Sequence, residues 1–257
     1  MELKDKRVVL TGAASGIGAV LLKRLVRQGA QVIAADRQEI DLKSFKGKAT
    51  AIHPFVCDLS QQQEVDKLFD YALETLAGID VFIANAGYAD YGTVGVPDWA
   101  RIEQVFAVNV VSPLYSVAKM AQINPEQPYT VAITASAMAH MAIPGYAHYA
   151  ATKAALHRYA EAYRYEMPQN GHLMLIYPIA TRTQFFKQKQ KSDAPLPRPS
   201  QTPDYVARRI IAGLKNDSER VNPSPGFRFF HLLTRLFPPI GEIYRLYGYQ
   251  QLQKWRH

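Results

Sequence analysis

Tyr149 and Lys153 stand four residues apart in Tyr149-Ala150-Ala151-Thr152-Lys153, within a stretch that reads as a helix. At that spacing two side chains share one helix face, a turn apart. A free phenol ionises near about 10. An ammonium beside it stabilises the phenolate and draws that value toward neutrality, where a general base or acid works best. Ser136, thirteen residues before Tyr149 and just past an apolar run, stands where its hydroxyl could hold a reacting oxygen. Tyr146 and His148 lie close by, but neither pairs with Lys153 at a four-residue step. Each residue alone has a plainer use, since tyrosines pack and serines cap or turn. Their combination points to proton transfer at a bound oxygen.

A second cluster lies near the N-terminus, where Thr11-Gly12-Ala13-Ala14-Ser15-Gly16-Ile17-Gly18 follows the apolar Val8-Val9-Leu10 and opens into a helix. Such a turn lets the backbone approach a pyrophosphate, and the helix end offers unpaired N–H donors with a positive dipole. Asp36, twenty-four residues after Gly12, closes the second apolar run. A carboxylate there can accept both hydroxyls of an adenosine ribose and would repel a 2′-phosphate, which favours NAD over NADP. Arg37 is the competing detail, because it could pair with that phosphate. No metal chemistry is expected: the seven histidines lack ligand spacing with cysteines or acids, and Cys57, the single cysteine, lies in an apolar run that predicts burial.

Positioning these groups requires alternating strands and helices. Val8–Leu10, Val32–Ala35, Ala51–Val56, Val81–Ile83, Thr130–Ile133 and Leu173–Ile176 read as at least six buried strands. Ile17, Leu21 and Leu25 recur at helical spacing, and Gly29 stands where a helix end favours a left-handed residue. The βαβα pattern predicts an α/β fold, a doubly wound parallel sheet with helices on both faces. The expected organisation is one domain: residues 1–183 as nucleotide-binding and catalytic core, residues 184–257 as substrate loop and C-terminal helices. Lys187, Lys189, Lys191, Pro195, Pro197 and Pro199 predict a loop rather than a strand, and Thr202-Pro203-Asp204 starts a further helix. Phe229, Phe230, Leu233 and Phe237, then Ile240, Ile243, Tyr244 and Tyr247, predict two short amphipathic helices on either side of Pro238-Pro239.

In their order, the Thr11–Gly18 turn, Asn85-Ala86-Gly87, Asn109, Ser136 and Tyr149-x-x-x-Lys153 resemble the short-chain dehydrogenase/reductase family over roughly residues 5–183. The resemblance implies a Rossmann-type fold and an oxidoreductase that interconverts an alcohol and a carbonyl by hydride transfer. It implies Tyr149 as general acid/base, Ser136 on the substrate oxygen, Asn109 in a proton relay through water, and Lys153 also on the nicotinamide ribose. Cofactor contacts implied with it are Gly12, Ser15, Gly16, Ile17, Gly18, Asp36, Arg37, Asn85 and Gly87, Asp58 at the adenine and Thr183 at the carboxamide. Two positions depart from the family pattern: Ala84 replaces an asparagine, and Ile179 replaces the glycine of Pro-Gly-x-x-x-Thr. Assembly as a dimer or tetramer is a further implication.

Phe185-Phe186, in the stretch that closes over substrate in that family, suits an apolar alcohol or ketone. The net charge of +8 sits wholly in the last third, where residues 184–257 hold 13 basic and 5 acidic side chains. Arg228, Arg235, Arg245, Lys254 and Arg256 accompany apolar residues at helical spacing, as in a helix lying at a membrane interface; packing on the core or on another subunit is the equal alternative. Nucleic acid is not an expected partner, since no recognised binding module is present. The rival function is a catalytically silent nucleotide sensor with a membrane- or partner-binding basic tail. The start of the chain leaves no room for the apolar stretch of a signal peptide and no run approaches a membrane span, so a cytoplasmic location is expected.

Overall fold

Strands buried on both faces send successive side chains into different layers. In the computed structural model, which describes residues 1–257 apart from 46–48, 94, 96, 187–193, 195 and 257, this alternation decides how the sheet is covered. Val8, Leu10, Val32, Ala34, Val81 and Ile83 join one core layer, and Val9, Ile33, Ala35, Phe82 and Ala84 the other. The strands are β1 (Arg7–Thr11), β2 (Gln31–Asp36), β3 (Ile52–Val56), β4 (Val81–Ala84), β5 (Tyr129–Thr134), β6 (Gly171–Ile176) and β7 (Arg220–Val221). They form one sheet in the order β3-β2-β1-β4-β5-β6-β7, every neighbour parallel.

Helix α1 (Gly16–Arg27) covers the first layer through Leu21, Leu22, Leu25 and Val26, beside α6 (Pro203–Lys215) with Val206, Ile210 and Leu214. The second layer is covered by α2 (Gln62–Leu76), α4 (Ser112–Ile123) and α5 (Ala147–Tyr163), which bury Phe69, Met120 and Leu156 among others. Helix α3 (Trp99–Phe106) enters α4 through one turn of π-helix, Ala107–Val111. Such turns frequently mark functional sites, and this one carries Asn109.

The doubly wound parallel sheet expected from the sequence is present, with all six expected strands. The seventh is only two residues, Arg220 and Val221 against Leu175 and Ile176, too short to leave a periodic signal. Gly29 is left-handed at φ +87°, and Thr202 caps α6 by accepting from Tyr205 N at 3.2 Å. Cys57 is buried. The two C-terminal helices are α7 (Pro225–Leu236) and α8 (Pro238–Arg256); the latter runs 19 residues and is not short. Lys187, Lys189, Lys191 and Pro195 of the expected loop lie outside the described residues. Among the described residues, no helix is long and apolar enough to cross a membrane.

Candidate active site

Strand order reverses between β1 and β4, and a crevice opens beyond the carboxyl ends of the strands at such a switch point. Thr11 and Asn85 brace it. The Thr11 hydroxyl accepts from Asn85 N and Ala86 N, each at 3.1 Å, while Asn85 Nδ2 donates to Thr11 O at 3.2 Å and Gly12 O at 3.3 Å. The glycine-rich turn therefore lies tight against the end of β4. A Cβ on Gly12, whose φ is +68°, would come within 2.8 Å of Ala86 Cα, and one on Gly18 within 1.8 Å of Gly12 O. Gly18 thus packs the helix onto its own turn and does not line the cavity.

Around the switch point lies a cavity of about 1450 Å³. One end is lined by Asp36, Arg37 and Asp58, the middle by Gly12, Ser15, Gly16, Ile17, Asn85 and Gly87, and the other end by Ser136, Tyr149, Lys153 and Thr183. Asp36 is held by the turn it faces, accepting from Ala14 N at 2.9 Å and Gln38 N at 3.1 Å. Asp58 accepts from Ser60 N at 2.9 Å and so orders its own loop; Gln61 precedes α2 at the N-cap position. Thr183 lies over the turn, its Cγ2 3.2 Å from where a Gly16 Cβ would be, and Ile179 lines the wall beside it. An elongated crevice with a carboxylate at one end, a glycine-rich turn in the middle and the N-terminus of α1 beside it fits a dinucleotide.

At the far end, α5 buries Tyr149 and Lys153 on one face, as their spacing predicts. Lys153 is 3% exposed; its Nζ donates to Thr134 O at 2.8 Å and lies 5.5 Å from the centre of the Tyr149 ring. Burial lowers the Lys153 ammonium to about 7. Burial likewise raises the Tyr149 phenol to about 12, against a hydrogen bond with Ser136 that lowers it. The direction is thus opposite to the expected draw toward neutrality, because burial dominates the phenol. Ser136 follows β5 in extended conformation, and its Oγ accepts from Met138 N at 3.1 Å.

Asn109 is fully buried behind the cavity wall. Its Nδ2 donates to Tyr88 O at 2.9 Å and Thr152 Oγ1 at 3.2 Å, and its Oδ1 accepts from Tyr88 N at 3.1 Å. A Cβ on Gly87 would meet Asn109 Oδ1 at 2.9 Å and Lys153 Nζ at 3.6 Å, so the missing side chain lets both groups face one point. Several lining residues escaped sequence reasoning. Tyr91, Tyr146, Met141 and Ile143 come from loops without a motif, and Phe227, Phe230 and Tyr244 come from α7 and α8. Their only sequence signal is the inward stripe of those two helices.

A Rossmann-type sheet with a dinucleotide-shaped crevice at its switch point defines a nucleotide-binding α/β protein. Residues 6–194 match the short chain dehydrogenase family model, and the chain belongs to that family of oxidoreductases. The 3-ketodihydrosphingosine reductase TSC10 of Yarrowia lipolytica is 28% identical over 224 residues, covering 80% of this chain and only 60% of that protein's length. The uncharacterized oxidoreductase YbbO of Escherichia coli is 29% identical over 220 residues, covering 82% of this chain and 78% of that one. Among solved structures, a short chain dehydrogenase/reductase from Burkholderia phymatum in complex with NAD superposes with a TM-score of 0.80 at 19% identity, covering 93% of this chain and 96% of that one.

The electrostatics of Lys153 can be measured directly. Between its lowered value near 7 and the ordinary 10.5, the unfolded chain holds a proton that the folded chain lacks, so this group weakens folding as pH drops through that window. In carbon-13 lysine-labelled protein without cofactor, the resonance lost in Lys153→Met should titrate near pH 7. Titration near 10.5 would contradict the geometry.

Proposed function

We propose that this protein is a nicotinamide-dependent oxidoreductase interconverting an apolar alcohol and its carbonyl, with NAD favoured over NADP and Tyr149 exchanging the proton. The observation that carries it is one continuous cavity joining the glycine-rich turn and Asp36 to Ser136, Tyr149 and Lys153. When bound, the nicotinamide supplies or accepts the hydride. Ser136 holds the substrate oxygen, Tyr149 takes its proton as the alcohol is oxidised, and the same phenol returns it as a carbonyl is reduced. For Tyr149 to act as base, Lys153 must be charged; donating to the ribose hydroxyls favours its ammonium, and that ammonium together with the positive ring of an oxidised nicotinamide favours phenolate. Lys153 also holds the ribose, and Thr183 contacts the carboxamide. Asn109, facing the same point as Lys153 beneath Gly87, continues the proton path through water.

At the adenosine end Asp36 accepts from the ribose hydroxyls, with Asp58 beside the adenine, and Arg37 is the residue through which NADP could be tolerated. The substrate end is apolar, walled by Met141, Ile143, Tyr146, Phe185, Phe230 and Tyr244. The reading takes residues 184–257 as part of the same domain as the core, supported by β7 extending the sheet and by α7 and α8 lining the cavity. The family resemblance supports a homo-oligomer.

On their outer side, α7 and α8 expose Phe229, Leu232, Leu236, Phe237, Ile243 and Leu246, each more than half accessible. Arg228, Arg235, Lys254 and Arg256 flank them, and Glu242, the one acidic residue of the two helices, is paired with Arg245. Apolar side chains among uncompensated cations complement an anionic lipid surface, and the proposal includes peripheral contact with such a membrane.

Tyr149→Phe should lower turnover of a confirmed substrate by about 10²–10⁴-fold; near-full turnover would refute the proton-transfer role. NADH should bind more tightly than NADPH, with the gap narrowed in Asp36→Ala, whereas tighter NADPH binding by the unmodified protein would reverse the cofactor preference. The protein should float with anionic vesicles in a density gradient, and Leu232→Glu/Leu246→Glu should abolish it. Failure to float, with a doubled mass in solution that the same substitutions halve, would assign the face to a second subunit.

A further inference from the structure

Beyond the cavity wall, three imidazoles meet at a point the proposed reaction does not use. His140 ends the short 3₁₀ turn that begins at Ser136, His157 lies on α5 one turn past Lys153, and His231 lies on α7 one turn past Phe227. The His140 ring is 4.5 Å from His157 and stacks on His231 at 4.8 Å and on Tyr177 at 4.9 Å; His231 in turn stacks on Phe227 at 6.1 Å. The Tyr177 hydroxyl is hydrogen-bonded to His157 Nδ1 at 2.9 Å. Three separate elements are thus tied together by rings: the catalytic turn, the catalytic helix, and the helix whose Phe227 and Phe230 line the cavity.

Burial first, and then surroundings that are mostly positive, disfavour a proton on this stack. Helix α5 contributes Glu161, 3.4 Å from His157 Nε2, but Glu161 is already paired with Arg158, and Arg164 faces the stack from beyond the end of the same helix. Strand β7 contributes Arg220 and α7 contributes Arg235. His231 Nδ1 is buried without a hydrogen-bond partner among the described residues. Imidazoles packed ring to ring, with four arginines around them against one carboxylate already paired, favour the neutral form.

We propose that His140, His157 and His231 are positioning residues that clamp α7, and with it Phe227 and Phe230, against the catalytic turn while the rings are uncharged, so that acid loosens this wall of the cavity. Burial lowers His140 to about 4 and also lowers His157 and His231. Released imidazoles protonate near about 6.5. The docked state therefore binds fewer protons than the released one; docking is complete above about 6.5 and is lost as pH falls from there toward 4. The clamp rests on the proposed function only in taking this wall as part of the substrate pocket.

Hydrogen–deuterium exchange of the full chain, corrected for the intrinsic effect of pH, reads the clamp without any substrate. Between pH 7.5 and 5.5, protection of peptides within 225–236 should fall by roughly tenfold or more relative to β5 peptides, since each released imidazole contributes up to about a factor of ten per pH unit. His231→Phe keeps a stacking ring and removes one titrating group, so its loss should be several-fold smaller; His140→Phe provides the same comparison should the first variant fold poorly. With a confirmed substrate, KM should rise over the same pH range and less so in the variants. Equal α7 protection at both pH values, or an acid loss unchanged in the Phe variants, would overturn the clamp. A pH-sensitive α7 in a protein that turns over no alcohol or ketone would uphold the clamp and refute the proposed activity instead.

Discussion

Lys153 is buried against the tendency of its charge, and the candidate site is organised around it. Lys153 lies almost wholly out of solvent with one hydrogen bond recorded, to the carbonyl of Thr134. Desolvation disfavours its charge and that of the phenolate beside it alike, lowering the lysine to about 7 and raising the tyrosine to about 12. Such a pair is poised: a nearby anion would restore the ammonium, and the ammonium would then ease ionisation of the phenol. Under the proposed function, that electrostatic dependence would couple proton transfer to cofactor binding.

The sheet is what holds this pair in place. Thr134 ends β5, next to β4, whose following residue Asn85 is bonded to the turn after β1. Three adjacent strand ends therefore fix the glycine-rich turn, the amide of Asn85 and the carbonyl that receives Lys153 in one frame. The π turn serves the same end: Asn109 holds the backbone of Tyr88 at both its N–H and its carbonyl and reaches Thr152 on α5. A buried polar group with all these partners is a rigid spacer between the end of β4 and α5.

Local features were legible in the sequence. Tyr149 and Lys153 lie one helical turn apart, the glycine-rich turn is continuous, and apolar runs define six of the strands, so each signal lies within a few residues. What was not legible depends on contacts distant along the chain. Burial, which reverses the expected direction of the Tyr149 shift, follows in part from packing by Phe185, far along the chain. Lys153's partner is a main-chain carbonyl, which no residue type announces. That Gly18 and Asn109 lie behind the wall was not legible either, because a motif position does not say which side of the wall a residue occupies. The C-terminal helices showed their amphipathic stripes plainly, yet only the fold distinguishes the side lining the cavity, with Phe230 and Tyr244, from the exposed one, with Phe229 and Ile243.

A crystal structure with NADH bound tests the central claim most directly. The account predicts the adenosine ribose at Asp36, the pyrophosphate at the turn from Gly12 to Ile17, and the nicotinamide against Tyr149 with Lys153 within hydrogen-bonding reach of its ribose. A dinucleotide bound with its nicotinamide remote from Tyr149, or excluded from the crevice altogether, would contradict it.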